Sequence, residues 1–244
     1  MSSVPGKVIL VVEHEDGTGP ARMVEWIEER GPALELCRPW RGEEVPVSLD
    51  AYDGLLVLGG SMGPYEDERA PWLEGVRGLL RQAVARDLPT LAICLGAELL
   101  TVACGGKAGR AARPEVGLCG LTPLQECAED AVFGPSAASG AALCAVQWHW
   151  EESAVLPDGA VPLLTSERCA HQAYRMGRRV WAVQFHPEVL AEDIAHWGRE
   201  DAVPLRELGL DAGEIMREVE GEEGALRSVW GGVARRWADV VTGG

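Results

Sequence analysis

Lysine is nearly absent from this 244-residue chain, where Lys7 and Lys107 are the only examples. Basic charge as a whole is scarce: 22 Lys and Arg face 38 Asp and Glu, for a formal charge of −16 at pH 7. Nucleic acid is excluded as a partner, because phosphate binding needs a basic footprint. The ordinary role of such charge is solubility. No run approaches the ~20 apolar residues of a membrane span, which argues against a membrane protein. Residues 1–6 carry no charged and apolar leader pattern, so the expected location is the cytoplasm. No two of the seven cysteines (Cys37, Cys94, Cys104, Cys119, Cys127, Cys144 and Cys169) have C-x-x-C spacing. That argues against a zinc site and a thioredoxin-like pair, and leaves reduced thiols as the simplest reading. A phosphate-binding P-loop pattern, an internal repeat and a low-complexity linker are also missing.

What is present is enough for one large α/β domain: 47% of the residues are hydrophobic, and this length does not force two domains. Residues 7–12 (KVILVV) read as a strand of the continuous apolar kind found in parallel sheets. A Gly/Pro-marked loop follows at 16–20, then a helix over 21–30, a short strand over 33–37 and a third strand over 52–58. That strand ends in Gly59-Gly60. A helix fits 71–86 with Pro71 near its first turn. The strand at 90–93 runs into a helix over 94–103. This alternation predicts a flavodoxin-like, mostly parallel sheet flanked by helices. After Gly106 the pattern turns β-rich, with short strands near 121–125, 143–147, 161–165, 170–175 and 180–184. From about Leu190 the chain is helical. Leu226, Val229, Trp230, Val233, Trp237 and Val240 recur at spacings of three and four, giving one apolar helix face. That face suits docking on the core, or a partner such as a second copy of the chain.

Cys94 stands where a buried strand turns sharply into a helix. A thiol there feels the helix dipole and the free N–H groups, which favour the thiolate. This is the logic of a nucleophile elbow, with the Leu95 N–H aimed at the oxygen of an attacked carbonyl. Gly96 permits the close packing of the turn. Taken alone, Cys94 reads equally well as a buried structural thiol. Far downstream, Gln184-Phe185-His186-Pro187-Glu188 adds a base and a carboxylate. In an extended run residues i and i+2 share a side, so His186 can face Cys94 while Glu188 fixes its tautomer. Gly60 can bring its amide close to a substrate and complete an oxyanion hole.

The segments 57–65, 89–100, 115–117, 147–149, 156–160, 172–175 and 184–188 occur in the order of a known family. The chain resembles the class I, triad-type glutamine amidotransferases, especially stand-alone proteins related to the amidotransferase domain of GMP synthase. The resemblance covers roughly residues 7–190. It implies an amidotransferase-like domain over 1–190 and a helical extension over 191–244 packed on the same domain. It implies Cys94 as nucleophile, His186 as acid/base and Glu188 as its orienter. The oxyanion hole falls to the amides of Gly60 and Leu95. Glu98, Gln147, Trp148, His149 and Trp150 line the pocket for the substrate's amino-acid end. Neither a metal nor a cofactor is implied.

Three positions depart from the family pattern. Ala92 stands where the elbow normally has glycine, and Trp150 where a small residue is common. Glu98 replaces the usual glutamine on the Cys94 face of the helix. A carboxylate there repels a substrate carboxylate and raises the thiol pKa. Two readings follow: Glu98 simply replaces glutamine as a hydrogen-bonding side chain, or free L-glutamine is a poor substrate and a γ-glutamyl-linked or amine-bearing amide a better one. The leading expectation is an amide hydrolase working through a thioester. The alternatives are an ammonia-donating subunit of a two-chain enzyme with a synthetase partner, and a non-catalytic binding module that keeps the fold.

Overall fold

In β1 (Val8–Val12), alternate residues enter two separate cores: Ile9 and Val11 one, Leu10 and Val12 the other. The strand is apolar throughout because helices cover both faces of its sheet. The computed structural model describes residues 6–140 and 142–243. After β1 come α1 (Met23–Glu28), β2 (Ala33–Cys37), β3 (Gly54–Val57), α2 (Leu73–Arg86), β4 (Thr90–Ile93) and α3 (Leu95–Ala103). The second half holds β5 (Lys107–Pro123), α4 (Gly134–Ala137), β6 (Leu143–Val155), β7 (Val161–Thr165), β8 (Ala173–Met176) and β9 (Val180–Val183). Four helices close the chain: α5 (Ala191–Glu200), α6 (Ala202–Glu207), α7 (Ala212–Gly221) and α8 (Glu223–Thr242).

The strands form one mixed sheet in the order β2-β1-β3-β4-β9-β8-β7-β5-β6. The first five are parallel, in the flavodoxin-like arrangement. The remaining pairings are antiparallel. α2 and α3 cover one face through Leu73, Val76, Leu80, Leu95 and Leu99. α1 and α8 cover the other through Met23, Trp26, Trp230, Val233 and Trp237. The apolar face of the tail helix is thus buried against the chain's own core. Val229 and Val240 sit at its partly buried margin.

The second half departs from the sequence reading. The strand expected near 121–125 is the end of β5, and residues 125–129 form a 3-10 turn. β5 pairs with β6 along a long hairpin whose register shifts between Arg110 and Glu115. Most of β5 is exposed or half-buried, so its residues alternate irregularly and carry little hydrophobic signal. The expected helices at 21–30 and 71–86 begin later, at Met23 and Leu73, and Pro71 lies before the helix. No helix among the described residues is long and apolar enough to cross a membrane. All seven cysteines are free thiols.

Candidate active site

The parallel register places β4 beside β9, with Ile93 opposite Val183. Cys94 leaves the end of β4 and donates its backbone N–H to the Val183 carbonyl at 2.8 Å. Its φ is +50° and its ψ −109°, an unusual conformation for a residue with a side chain. Such a backbone costs ~1–3 kcal/mol and persists only when its surroundings over-determine it. Two features do so. A Cβ on Gly96 would collide with the Val57 carbonyl of β3, so α3 presses directly on the sheet. Further along α3, Thr101 Oγ1 lies 2.7 Å from both Ser153 Oγ and Tyr174 Oη, and Tyr174 donates to the Ala97 carbonyl. Gly96→Ala is therefore expected to cost ~1–3 kcal/mol by overpacking. Urea unfolding checks this, and an unchanged midpoint would mean the helix shifts freely. Ala92, by contrast, is accommodated: its methyl is fully buried, between Val57 and Ala182 in register.

Beyond β9 the chain carries His186 to the same edge of the sheet. The His186 N–H donates to the Val146 carbonyl at 2.8 Å, which ties this segment to β6. The imidazole lies beside the Cys94 side chain, close enough for each to shift the other's pKa. Its Nδ1 lies 2.8 Å from Glu188 Oε1, leaving Nε2 for the sulfur. A Cβ at Gly59 would sit 3.0 Å from His186 Cε1 and 3.5 Å from Cys94 Cβ, so a side chain there would crowd the imidazole. Cys94, His186 and Glu188 come together although the first and last are far apart in sequence. All three are buried, at 6%, 5% and 4% exposure.

The electrostatics follow from that burial. Burial pushes the Cys94 thiol up; the charge and hydrogen bond of His186 pull it down, and Glu98 and Glu188 raise it. For His186, burial opposes the charged imidazole, but Glu188 and the sulfur outweigh it and push the pKa up to about 10. The carboxylate thus makes the imidazole a strong proton acceptor. The N–H groups of Gly60 and Leu95 donate to no other group among the described residues.

A cleft of about 560 Å³ opens above the sulfur. Gly60, Glu98, Trp148, His149 and Trp150 line it together with Cys94 and His186. Gln147 does not: it is fully buried, and its Nε2 donates to Gln172 Oε1 at 2.9 Å. Gln172 in turn donates to Glu115 at 2.5 Å, and Ser166 donates to the same carboxylate at 2.8 Å. The 115–117, 147–149 and 172–175 segments therefore meet in a buried polar network behind the cleft wall.

The tail supplies residues that sequence reasoning missed. Trp197 of α5 packs on His186 with ring centroids 4.8 Å apart and the rings tilted by 60°, touches Trp148 at 5.7 Å, and donates to the Gly17 carbonyl. Asp201 accepts from Trp148 Nε1 at 2.8 Å. Glu66, Arg110 and Glu151 complete the walls. Nothing local marks these positions, because their place depends on how α5 and the β5–β6 hairpin fold over the sheet. Among the described residues no cluster of His, Cys, Asp or Glu is arranged to hold a metal ion.

Ligands of open α/β sheets bind at the carboxyl ends of the strands, which is where this cleft lies. A cysteine on a strand–turn–helix elbow at that edge places the molecule among α/β proteins built on the nucleophile-elbow plan. Residues 25–196 match the family model for glutamine amidotransferase class-I, and the chain belongs to that family. The glutamine amidotransferase-like protein YfeJ of Salmonella typhimurium is 29% identical over 75% of this chain and 76% of its own. Gamma-glutamyl peptidase 3 of Arabidopsis thaliana is 28% identical over 66% of this chain and 64% of its own. The glutamine-hydrolyzing GMP synthase of Thermotoga maritima is 32% identical over 75% of this chain, but the match spans only 32% of that longer protein. The crystal structure of a glutamine amidotransferase from Thermotoga maritima shares the fold, with a TM-score of 0.82 and 24% identity over 95% of this chain and 98% of that one.

Proposed function

We propose that this protein hydrolyses a carboxamide of the glutamine or γ-glutamyl type through a thioester on Cys94, releasing ammonia or an amine. The observation that carries this reading is that Cys94 and His186 line one cleft, with the Glu188 carboxylate 2.8 Å from His186 Nδ1 behind them. Cys94 and His186 share one proton, which rests on His186 Nε2 as the sulfur attacks the amide carbon. The negative charge that develops on the carbonyl oxygen falls to the Gly60 and Leu95 N–H groups, each worth ~3 kcal/mol in hydrolases of similar logic. His186 then gives its proton to the departing nitrogen, the C–N bond breaks and the thioester remains. Water, deprotonated by the same imidazole, attacks the thioester, and the sulfur leaves as the thiolate beside the reprotonated ring. Trp197, packed at a tilt against His186, limits the angles the ring can take.

The test is release of ammonia from glutamine and of amine from γ-glutamyl amides. No release from either class would overturn the proposal.

Glu188→Gln is expected to lower kcat by ~10³–10⁴-fold, the scale seen when a triad orienter loses its charge. The sign of the accompanying pH effect follows from the carboxylate. Its charge favours the imidazolium and holds the His186 pKa near about 10. Without it the pair loses its proton at lower pH, so the alkaline limb of kcat/KM moves toward neutrality. A profile that stays in place would separate Glu188 from the titration.

The GMP synthase match favours a second reading, in which the released ammonia passes to a synthetase partner. Activity that appears only with such a partner present would select it. Failure of an electrophilic glutamine analogue to label Cys94, together with tight binding of an unmodified ligand, would instead indicate a binding module.

A further inference from the structure

Glu98 lies one turn along α3 from Cys94, lines the cleft, and is 3% exposed. A carboxylate this deep is costly unless charge or hydrogen bonds compensate it. Glu98 makes no ion pair among the described residues. Its Oε1 accepts one hydrogen bond, from Gln184 Nε2 at 2.9 Å, and its Oε2 accepts none among the described residues. The same Gln184 amide reaches toward the Cys94 sulfur at 3.9 Å, so the under-compensated carboxylate adjoins the reacting atom.

The groups around Glu98 do not supply the missing positive charge. Cys94 shares its helix, Tyr174 faces it from β8, and Gln184 and His186 follow β9. From β6 it meets a second carboxylate, Glu151. Burial, with Glu151 adding to it against the Gln184 hydrogen bond, pushes Glu98 up to about 7. Glu151 is itself raised, by burial and then by Glu66, with Arg110 opposing. Glu98, Glu151 and Glu66 thus form a series of carboxylates in one cleft, and Arg110 is the only lysine or arginine among its lining residues. His186 is already paired with Glu188 and the sulfur.

We propose, resting on the amide-hydrolase reading above, that the donor carries an ammonium group without an adjoining free carboxylate at the end that lies against Glu98. Glutamine presents both groups on one carbon. Its ammonium is attracted to Glu98 and Glu151, while its carboxylate is repelled by both. A donor whose carboxyl is blocked by an amide or peptide bond keeps the attraction and loses the repulsion. Glutamine in the family's usual place at this position is neutral and imposes no such choice, so the selectivity comes from the carboxylate.

Three probes with one common side-chain amide test this: the α-N-methylamide of L-glutamine, L-glutamine itself, and Nα-acetyl-L-glutamine. Ammonia release is measured for wild type and Glu98→Gln, after subtraction of the uncatalysed rate. At pH 7.5, wild type is expected to favour the methylamide over glutamine by ~10-fold or more in kcat/KM, as like-charge contact predicts, with the acetylated probe last. Between pH 7.5 and 6 protonation of Glu98 removes the repulsion, so the preference narrows. Glu98→Gln is expected to narrow it at both pH values and to weaken its dependence on pH. Glutamine equal to or better than the methylamide in wild type, or a ratio unchanged in Glu98→Gln, would overturn the charge assignment while leaving amide hydrolysis intact. Ammonia from none of the three would overturn the hydrolase reading, and the charge assignment with it.

Discussion

Cys94→Ala is expected to lose at least ~10⁴-fold of amide turnover while keeping the fold, because the members of such a catalytic set act as a unit and the nucleophile cannot be bypassed. The residue is 6% exposed and makes no structural cross-link. Its backbone hydrogen bond to Val183 does not involve the sulfur. Alanine therefore removes the sulfur and little else, and the unusual φ of the elbow continues to be imposed by α3 and β3. Circular dichroism and the urea midpoint should match wild type. Wild type should take up one equivalent of an electrophilic glutamine analogue at Cys94, and the variant none. Retention of turnover in the variant would remove the thioester from the mechanism.

Trp230→Ala is expected to be the largest of these changes in stability, at ~3–5 kcal/mol, the cost of deleting a large aromatic side chain from a packed core. Trp230 of α8 is 2% exposed. Its ring packs on Phe185 with centroids 4.5 Å apart, and its Nε1 donates to the Cys144 carbonyl at 3.0 Å. Alanine would leave a cavity and an unpaired carbonyl beneath the segment that carries His186. Against a typical total of ~5–15 kcal/mol, a loss of this size is a large share of the stability. Urea unfolding measures it. Trp230→Phe separates the two causes, since it restores most of the volume but not the hydrogen bond. A cost below ~1 kcal/mol for Trp230→Ala would mean that α8 is not bracing this segment.

The elbow was legible because its signals are local. Residues 90–93 are a short apolar strand, Cys94 begins a helix, and Gly96 sits where a Cβ would strike β3. The apolar spacing of α8 was legible for the same reason, since Trp230 and Trp237 mark one face of a single helix. Gln147 was misplaced because a neighbour's role does not predict its own. It turns away from the cleft to Gln172, while Trp148, His149 and Trp150 line the wall. Most of β5 went unrecognised because a largely exposed or half-buried strand need not alternate apolar and polar residues as a core strand does.

By itself, the sequence determined an α/β sheet with a cysteine elbow, a His-x-Glu segment to serve it, and a carboxylate at position 98. Each of these follows from spacing within a few residues, where helix and strand periodicity dictate which side chains share a face. Only the tertiary structure decided that β9 lies beside β4 and so carries His186 to Cys94, that α5 roofs the pair with Trp197, and that Glu98 and Glu151 share one cleft. Those contacts join residues dozens of positions apart, and they depend on strand order and helix docking, which local periodicity does not encode.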